Sequence, residues 1–194
     1  MNISNPKILL TGRPGVGKTT VIMKVIEEFR GRAGGFYTEE MRRWNVREGF
    51  RIVTLDGRNG ILAHINHSGP YRVGRYGVDV GAFDGIAIPS LEKALERDEL
   101  IIIDEIGKME LFSRRFRSLI QRILASKKSI LGVIHQKSDP FTERIRQCPN
   151  VEIWTVTKTS RNSLPSLILE KLGQGSTEGG RGPHLISPPF RERV

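Results

Sequence analysis

The sequence predicts an α/β fold: a mostly parallel sheet flanked by helices and interrupted by an antiparallel hairpin. Short apolar runs of strand length alternate with segments whose apolar residues recur at helical spacing, the rhythm of a parallel sheet covered on both faces. The first strand and helix are joined by a glycine-rich loop, Gly12-Arg13-Pro14-Gly15-Val16-Gly17-Lys18-Thr19, which fits the spacing G-x-x-x-x-G-K-[ST] without a mismatch. Between residues 49 and 65 two strand-like runs flank a turn cluster, and there the alternation breaks.

Ile8-Leu9-Leu10 is the first buried strand. Val21, Ile22, Val25, Ile26 and Phe29 mark the helix behind the loop, which ends near Arg30 and Gly31. Gly35-Phe36-Tyr37-Thr38 starts the second strand, and the runs 50–55 and 61–65 form a hairpin across Asp56-Gly57-Arg58-Asn59-Gly60. The stretch 72–80 is rich in glycine and reads as a loop or irregular strand. From Pro89 the rhythm resumes, with Leu91, Ala94 and Leu95 marking a short helix that ends near Asp98. A buried strand over 100–103 follows, then a helix carrying Phe116, Leu119, Ile120, Ile123 and Leu124, then a strand over 129–134. Asp139-Pro140 predicts a helix start, with Asp as cap and Pro at the first position. A strand over 151–156 and a helix over 162–172 close one domain spanning 1–172. Beyond it Gly, Ser and Pro dominate without periodicity, which predicts a flexible tail over 173–194.

Composition bounds the function class. The 194 residues are 38% hydrophobic, enough for a core, and no apolar run approaches the length of a membrane span. The start, Met1 to Lys7, is polar and lacks the charged and apolar regions of a signal peptide. Cys148 is the only cysteine, which excludes an intrachain disulfide and points to a cytoplasmic, reducing compartment. Net charge is +10, of which the tail's three Arg and two Glu account for +1, leaving +9 on the rest. Such a balance attracts polyanions, whether nucleotides or nucleic acid.

The glycine-rich loop carries the chemistry. Set between a strand and a helix, its backbone N–H groups can wrap phosphates at a helix N-terminus, and glycine lets the backbone close round the anion. The cradle is Gly12, Arg13, Pro14, Gly15, Val16, Gly17, Lys18, Thr19 and Thr20. Lys18 reaches the β and γ phosphates, and the Thr19 hydroxyl ligates Mg²⁺. A second motif complements it: the apolar strand Leu100-Ile101-Ile102-Ile103 ends in Asp104-Glu105. Asp104 is placed to hold Mg²⁺, and Glu105 to polarise a water facing the γ phosphate. His135, at the end of the strand over 129–134, falls on the rim where ligands of parallel sheets bind, and Lys108 is within reach of phosphates. Asp104-Glu105-Ile106-Gly107 also fits the GTPase pattern D-x-x-G. However, Thr157-Lys158-Thr159-Ser160 stands where the guanine-reading Asn-Lys-x-Asp belongs, so strict guanine selection has no visible source.

With this loop, DEIGKMEL at Asp104–Leu111 and GFYTEEMR at Gly35–Arg42, the chain resembles the small nucleoside-triphosphatases of thermophiles, known in vertebrates as the cancer-related nucleoside-triphosphatase. The resemblance spans about Lys7 to Leu172, with further matches at 73–78 and from Thr157 through Arg161-Asn162 to Leu164-Pro165. It implies slow, Mg²⁺-dependent hydrolysis of ATP, GTP, CTP and UTP by a monomer with a RecA-like core. Numbering the core strands from Ile8, Phe36, Ile101, Ile130 and Ile153, the implied order is 5-1-4-3-2. The family's motif residues carry over as Lys18, Thr19, Asp104, Glu105, Lys108 and His135. The chain departs from the family's pattern at 81–86 and at Thr159-Ser160-Arg161-Asn162-Ser163, where base contacts are in question.

Two alternatives share these features. A nucleoside or nucleotide kinase needs an acceptor pocket and an arginine-rich lid, for which Met41 to Arg75 is the candidate. A nucleotide-gated nucleic-acid-binding module would use the positive charge with Phe36, Tyr37 and Trp44 as a stacking surface. No arginine finger stands out among Arg42, Arg43, Arg72, Arg75, Arg114 and Arg115.

Overall fold

The computed structural model describes residues 5–137 and 139–173. The tail predicted from Gly173 onward therefore lies, apart from Gly173 itself, outside the described residues. The first strand, β1 (Lys7–Thr11), is buried throughout and runs into helix α1 (Lys18–Glu28). Next come β2 (Ala33–Arg43), β3 (Val46–Thr54), β4 (Asn59–His64), β5 (Arg72–Val73) and β6 (Tyr76–Val78). The alternating half consists of α2 (Val80–Arg97), β7 (Leu100–Ile106), α3 (Arg114–Ala125), β8 (Ser129–Ile134), α4 (Pro140–Arg146), β9 (Val151–Thr155) and α5 (Leu164–Lys171).

Among the described residues nine strands form one sheet in the order β5-β6-β4-β3-β2-β7-β8-β1-β9. The parallel core reads β9-β1-β8-β7-β2, which is the expected order 5-1-4-3-2. Residues Ala33–Phe36 of β2 pair with β7, and from Phe36 onward β2 runs antiparallel to β3. The insertion is thus larger than one hairpin: β3, β4, β6 and β5 extend the sheet by four antiparallel strands. The segment 41–75, a candidate kinase lid, supplies β3, β4 and β5 of this extension.

Strand alternation sorts the core onto two faces. Ile101 and Ile103 point to one side, where they meet Phe83, Ala87 and Leu91 of α2, Phe116 and Ile120 of α3, and Phe141 and Ile145 of α4. Leu100 and Ile102 point to the other, against Val21, Ile22 and Val25 of α1 and Ile168 and Leu169 of α5. Phe36 is fully buried on the first face, edge-on to Phe83 at 5.7 Å, so it is a core ring and not part of a stacking surface. Trp44, at the tip between β2 and β3, is 87% exposed.

The short helix expected after Pro89 is the second half of a longer one. Asp79 caps α2 by accepting from Ala82 N at 2.8 Å, and the helix runs through Gly81, Gly85 and Pro89. Pro89 cannot donate to the Gly85 carbonyl, but both residues are exposed, so that carbonyl is left to water. β7 likewise continues through the two acids to Ile106 and does not end at Ile103. Among the described residues no helix is long and apolar enough to cross a membrane.

Candidate phosphate-binding and carboxylate site

The carboxyl ends of β1, β7, β8 and β9 form one rim, and the glycine-rich loop lies on it between the ends of β8 and β9. Gly12 adopts a φ of 147°, and a Cβ there would sit 2.6 Å from the Val156 carbonyl oxygen. Only glycine lets the end of β1 lie this close to the chain leaving β9. Gly17, with a φ of 106°, caps α1. Lys18 opens that helix and folds back over the loop, its ammonium donating to the carbonyls of Gly12 at 3.1 Å and Arg13 at 3.3 Å. Arg13, Pro14, Gly15 and Thr20 are exposed, while Val16, Gly17, Lys18 and Thr19 are half-buried.

Asp104 is 2% exposed. Burial pushes its carboxyl up to about 7, and the neighbouring Glu105 charge adds to the rise, while a hydrogen bond from Thr19 and the Lys18 charge oppose it. Its Oδ2 is buried without a hydrogen-bond partner. An orphaned carboxylate oxygen beside a threonine hydroxyl is a fitting donor pair for a hard divalent cation such as Mg²⁺. Glu105 follows through a cis peptide bond. Burial raises its carboxyl too, offset by the Lys18 and His135 side chains.

A third acid joins them that sequence reading did not single out. Glu110 opens a short 3-10 turn, Glu110–Phe112, and is 5% exposed. It accepts a hydrogen bond from Gly107 N at 3.1 Å. Burial, then the charges of Glu105 and Asp104, push its carboxyl up to about 8. A Cβ on Gly107 would lie 2.9 Å from both Glu105 Oε1 and Glu110 Oε2, so the two carboxyl groups converge on that glycine. The available signal was an acid inside the apolar stretch Met109-Glu110-Leu111-Phe112.

The other expected residues divide. His135 leaves the end of β8 close enough to Glu105 to favour its charged form. Its Nε2 lies 3.2 Å from Asp139 Oδ2, the cap of α4, and Arg146 Nη2 donates to its carbonyl at 2.6 Å. Lys108 is exposed, and no hydrogen bond or ion pair joins it to the other site residues. Several of the arginines considered for a finger are engaged in the sheet extension: Arg42 pairs with Glu40 at 2.6 Å, Arg72 donates to the carbonyls of His67 and Arg75, and Arg75 donates to the Arg47 carbonyl. The arginine that does lie against the phosphate loop is Arg161, whose Cδ is 3.5 Å from where a Gly17 Cβ would be.

The sequence pattern that defines the NTPase family matches residues 7–169, nearly the whole described chain. This chain belongs to that family. Among its relatives, the nucleoside-triphosphatase THEP1 of Thermotoga maritima is 50% identical over 166 residues, covering 86% of this chain and 95% of the relative. THEP1 of Methanothermobacter thermautotrophicus is 38% identical, covering 86% of this chain and 96% of the relative. The crystal structure of THEP1 from Aquifex aeolicus superposes with a TM-score of 0.80 at 40% identity, covering 86% of this chain and 98% of that one. The solution structure of a human cancer-related nucleoside triphosphatase gives 0.74 at 37% identity, covering 89% and 100%. The expected family, fold and strand order are thus borne out together.

Proposed function

We propose that this NTPase-family chain hydrolyses nucleoside 5′-triphosphates to the diphosphate and phosphate, slowly, with Mg²⁺ and with little regard for the base. The observation that carries this reading is the buried, unpartnered Asp104 Oδ2 beside Thr19, across from a lysine folded over a glycine-rich loop.

The N–H groups of residues 12–20 and the Lys18 ammonium hold the phosphate oxygens; Lys18 exchanges its two carbonyl partners for them. Thr19 and Asp104 hold Mg²⁺, which when bound supplies neutralising charge to those oxygens. Glu105 orients the attacking water and accepts its proton as the water oxygen bonds to the γ phosphorus and the bridging oxygen leaves with the diphosphate. Its raised proton affinity suits it to that step. His135, held by Asp139, lies close enough to Glu105 to oppose part of the rise that burial imposes on its carboxyl. No arginine finger is assigned, and an arginine supplied in trans typically adds ~10³ to 10⁵ in rate, so turnover without one is slow. Residues 1–172 constitute the hydrolase domain. The single cysteine suits a cytoplasmic location.

Phosphate release from ATP, GTP, CTP and UTP, with and without Mg²⁺ and with and without RNA, tests this reading. The kcat/KM values should agree within roughly a hundredfold, the selectivity that shape alone provides, and vanish without Mg²⁺. A preference for one base of roughly a thousandfold or more would require a dedicated reader and overturn the claim of low selectivity. Steep, salt-sensitive stimulation by RNA would favour the nucleic-acid-binding alternative.

A further inference from the structure

Arg161 occupies a position that the chemistry above leaves unused. Along the rim the strand order sets the loops side by side: Asp104 and Glu105 on β7, then His135 after β8, then the glycine-rich loop after β1, then the 157–163 turn after β9. The turn after β9 therefore flanks the phosphate loop on the side away from the carboxylates. A triphosphate whose γ end faces Asp104 and Glu105 leaves its nucleoside end on this flank.

Arg161 is posted there by a stiff turn. Thr157 N donates to Ser160 Oγ at 3.0 Å, Ser160 N donates to Thr157 Oγ1 at 3.0 Å, and Arg161 N donates to the Thr157 carbonyl at 3.0 Å. The side chain then crosses the open face of Gly17, with Cδ 3.5 Å and Nη1 4.0 Å from where a Cβ would be. It is exposed, and among the described residues no carboxylate pairs with it, whereas Arg42, Arg47 and Arg51 each pair with a glutamate. A planar cation, carried on a hydrogen-bonded turn and without a carboxylate partner among the described residues, lies beside the phosphate loop on its nucleoside side.

We propose that Arg161 grips the nucleoside end of the bound triphosphate, its guanidinium plane stacking on the base. The inference rests on the phosphate-loop reading given above. Guanidinium groups stack on aromatic faces, and every base has such a face, so one arginine holds all four bases without reading their edges. This supplies affinity for the nucleoside where no Asn-Lys-x-Asp reader exists.

The test compares Arg161→Ala and Arg161→Lys with the parent protein in equilibrium binding of the four Mg-nucleotides and of Mg-tripolyphosphate, which lacks base and ribose. Lys18→Ala serves as the control on the phosphate loop. Arg161→Ala should weaken all four nucleotides about tenfold, a typical stacking contribution, and leave tripolyphosphate within about twofold. Arg161→Lys, which keeps the charge and loses the plane, should resemble Arg161→Ala. Equal losses for nucleotides and tripolyphosphate would make Arg161 a phosphate contact and overturn the proposal. Full rescue by Arg161→Lys, or no loss in Arg161→Ala while Lys18→Ala loses binding, would overturn it as well. Unchanged nucleotide affinity in Lys18→Ala, or no binding of tripolyphosphate by the parent, would overturn the phosphate-loop reading and this proposal together.

Discussion

Replacing Glu110 with Gln should flatten the pH dependence of stability. In the folded chain burial and the charges of Glu105 and Asp104 lift this carboxyl from its ordinary 4.5 to about 8. Between those values the folded state holds a proton that the unfolded chain has released. Stability therefore falls as pH rises through this window, because the folded state binds more protons than the unfolded. Integrating the difference from pH 5 to pH 8 at about 1.36 kcal/mol per pH unit gives a loss of about 3 kcal/mol from this one group. Gln is nearly isosteric, can accept from Gly107 N as Glu110 does, and has no proton to release. The advantage of Glu110→Gln over the parent should accordingly grow by about 3 kcal/mol between pH 5 and pH 8. Urea unfolding of both proteins in EDTA at pH 5, 6.5 and 8 measures it. An advantage that stays constant across the three pH values would refute the assignment of Glu110 as a buried, proton-holding acid.

Glu105→Gln should bind Mg-nucleotide with near-parental affinity and turn over far more slowly, because it keeps the shape and loses the proton acceptor; equal single-turnover rates would move the search for that group to His135. Gly12→Ala should lose roughly 2–4 kcal/mol of stability, since its Cβ would stand 2.6 Å from the Val156 carbonyl in a backbone conformation unfavourable to other residues. A melting temperature equal to the parent's would show that the junction between β1 and the exit of β9 yields at little cost.

Much of this architecture could be read from the chain because its signals are local. A five-strand core with buried runs such as Leu100-Ile101-Ile102-Ile103 announces itself by apolar length, and Asp139-Pro140 marks the start of α4 by capping chemistry that the structure reproduces as a capping box. The first half of α2 stayed hidden because Gly81, Gly85 and Pro89 read as breakers. Yet Phe83, Ala87, Leu91 and Ala94 keep helical spacing straight through them, and packing on Phe36 and Ile101 outweighs the weak propensity. Short strands such as β5 and β6 carry too few residues for a period to show. In the site, Lys18, Thr19, Asp104 and Glu105 were legible because fixed spacing identifies them. Glu110 was not, since it acquires its place by burial beside Glu105 only when the chain folds; Arg161 was named only as part of the segment 159–163, and its place beside Gly17 comes from the adjacency of β9 and β1.

The central claim is that the loop from Gly12 to Thr20 binds the phosphates whose hydrolysis this chain catalyses. Lys18→Ala tests it most directly, because the Lys18 ammonium donates its hydrogen bonds to loop carbonyls and not to the core. Circular dichroism and melting should match the parent, while calorimetric binding of Mg-ATP and phosphate release both fall to background. A folded Lys18→Ala protein that binds and hydrolyses ATP like the parent would contradict the account.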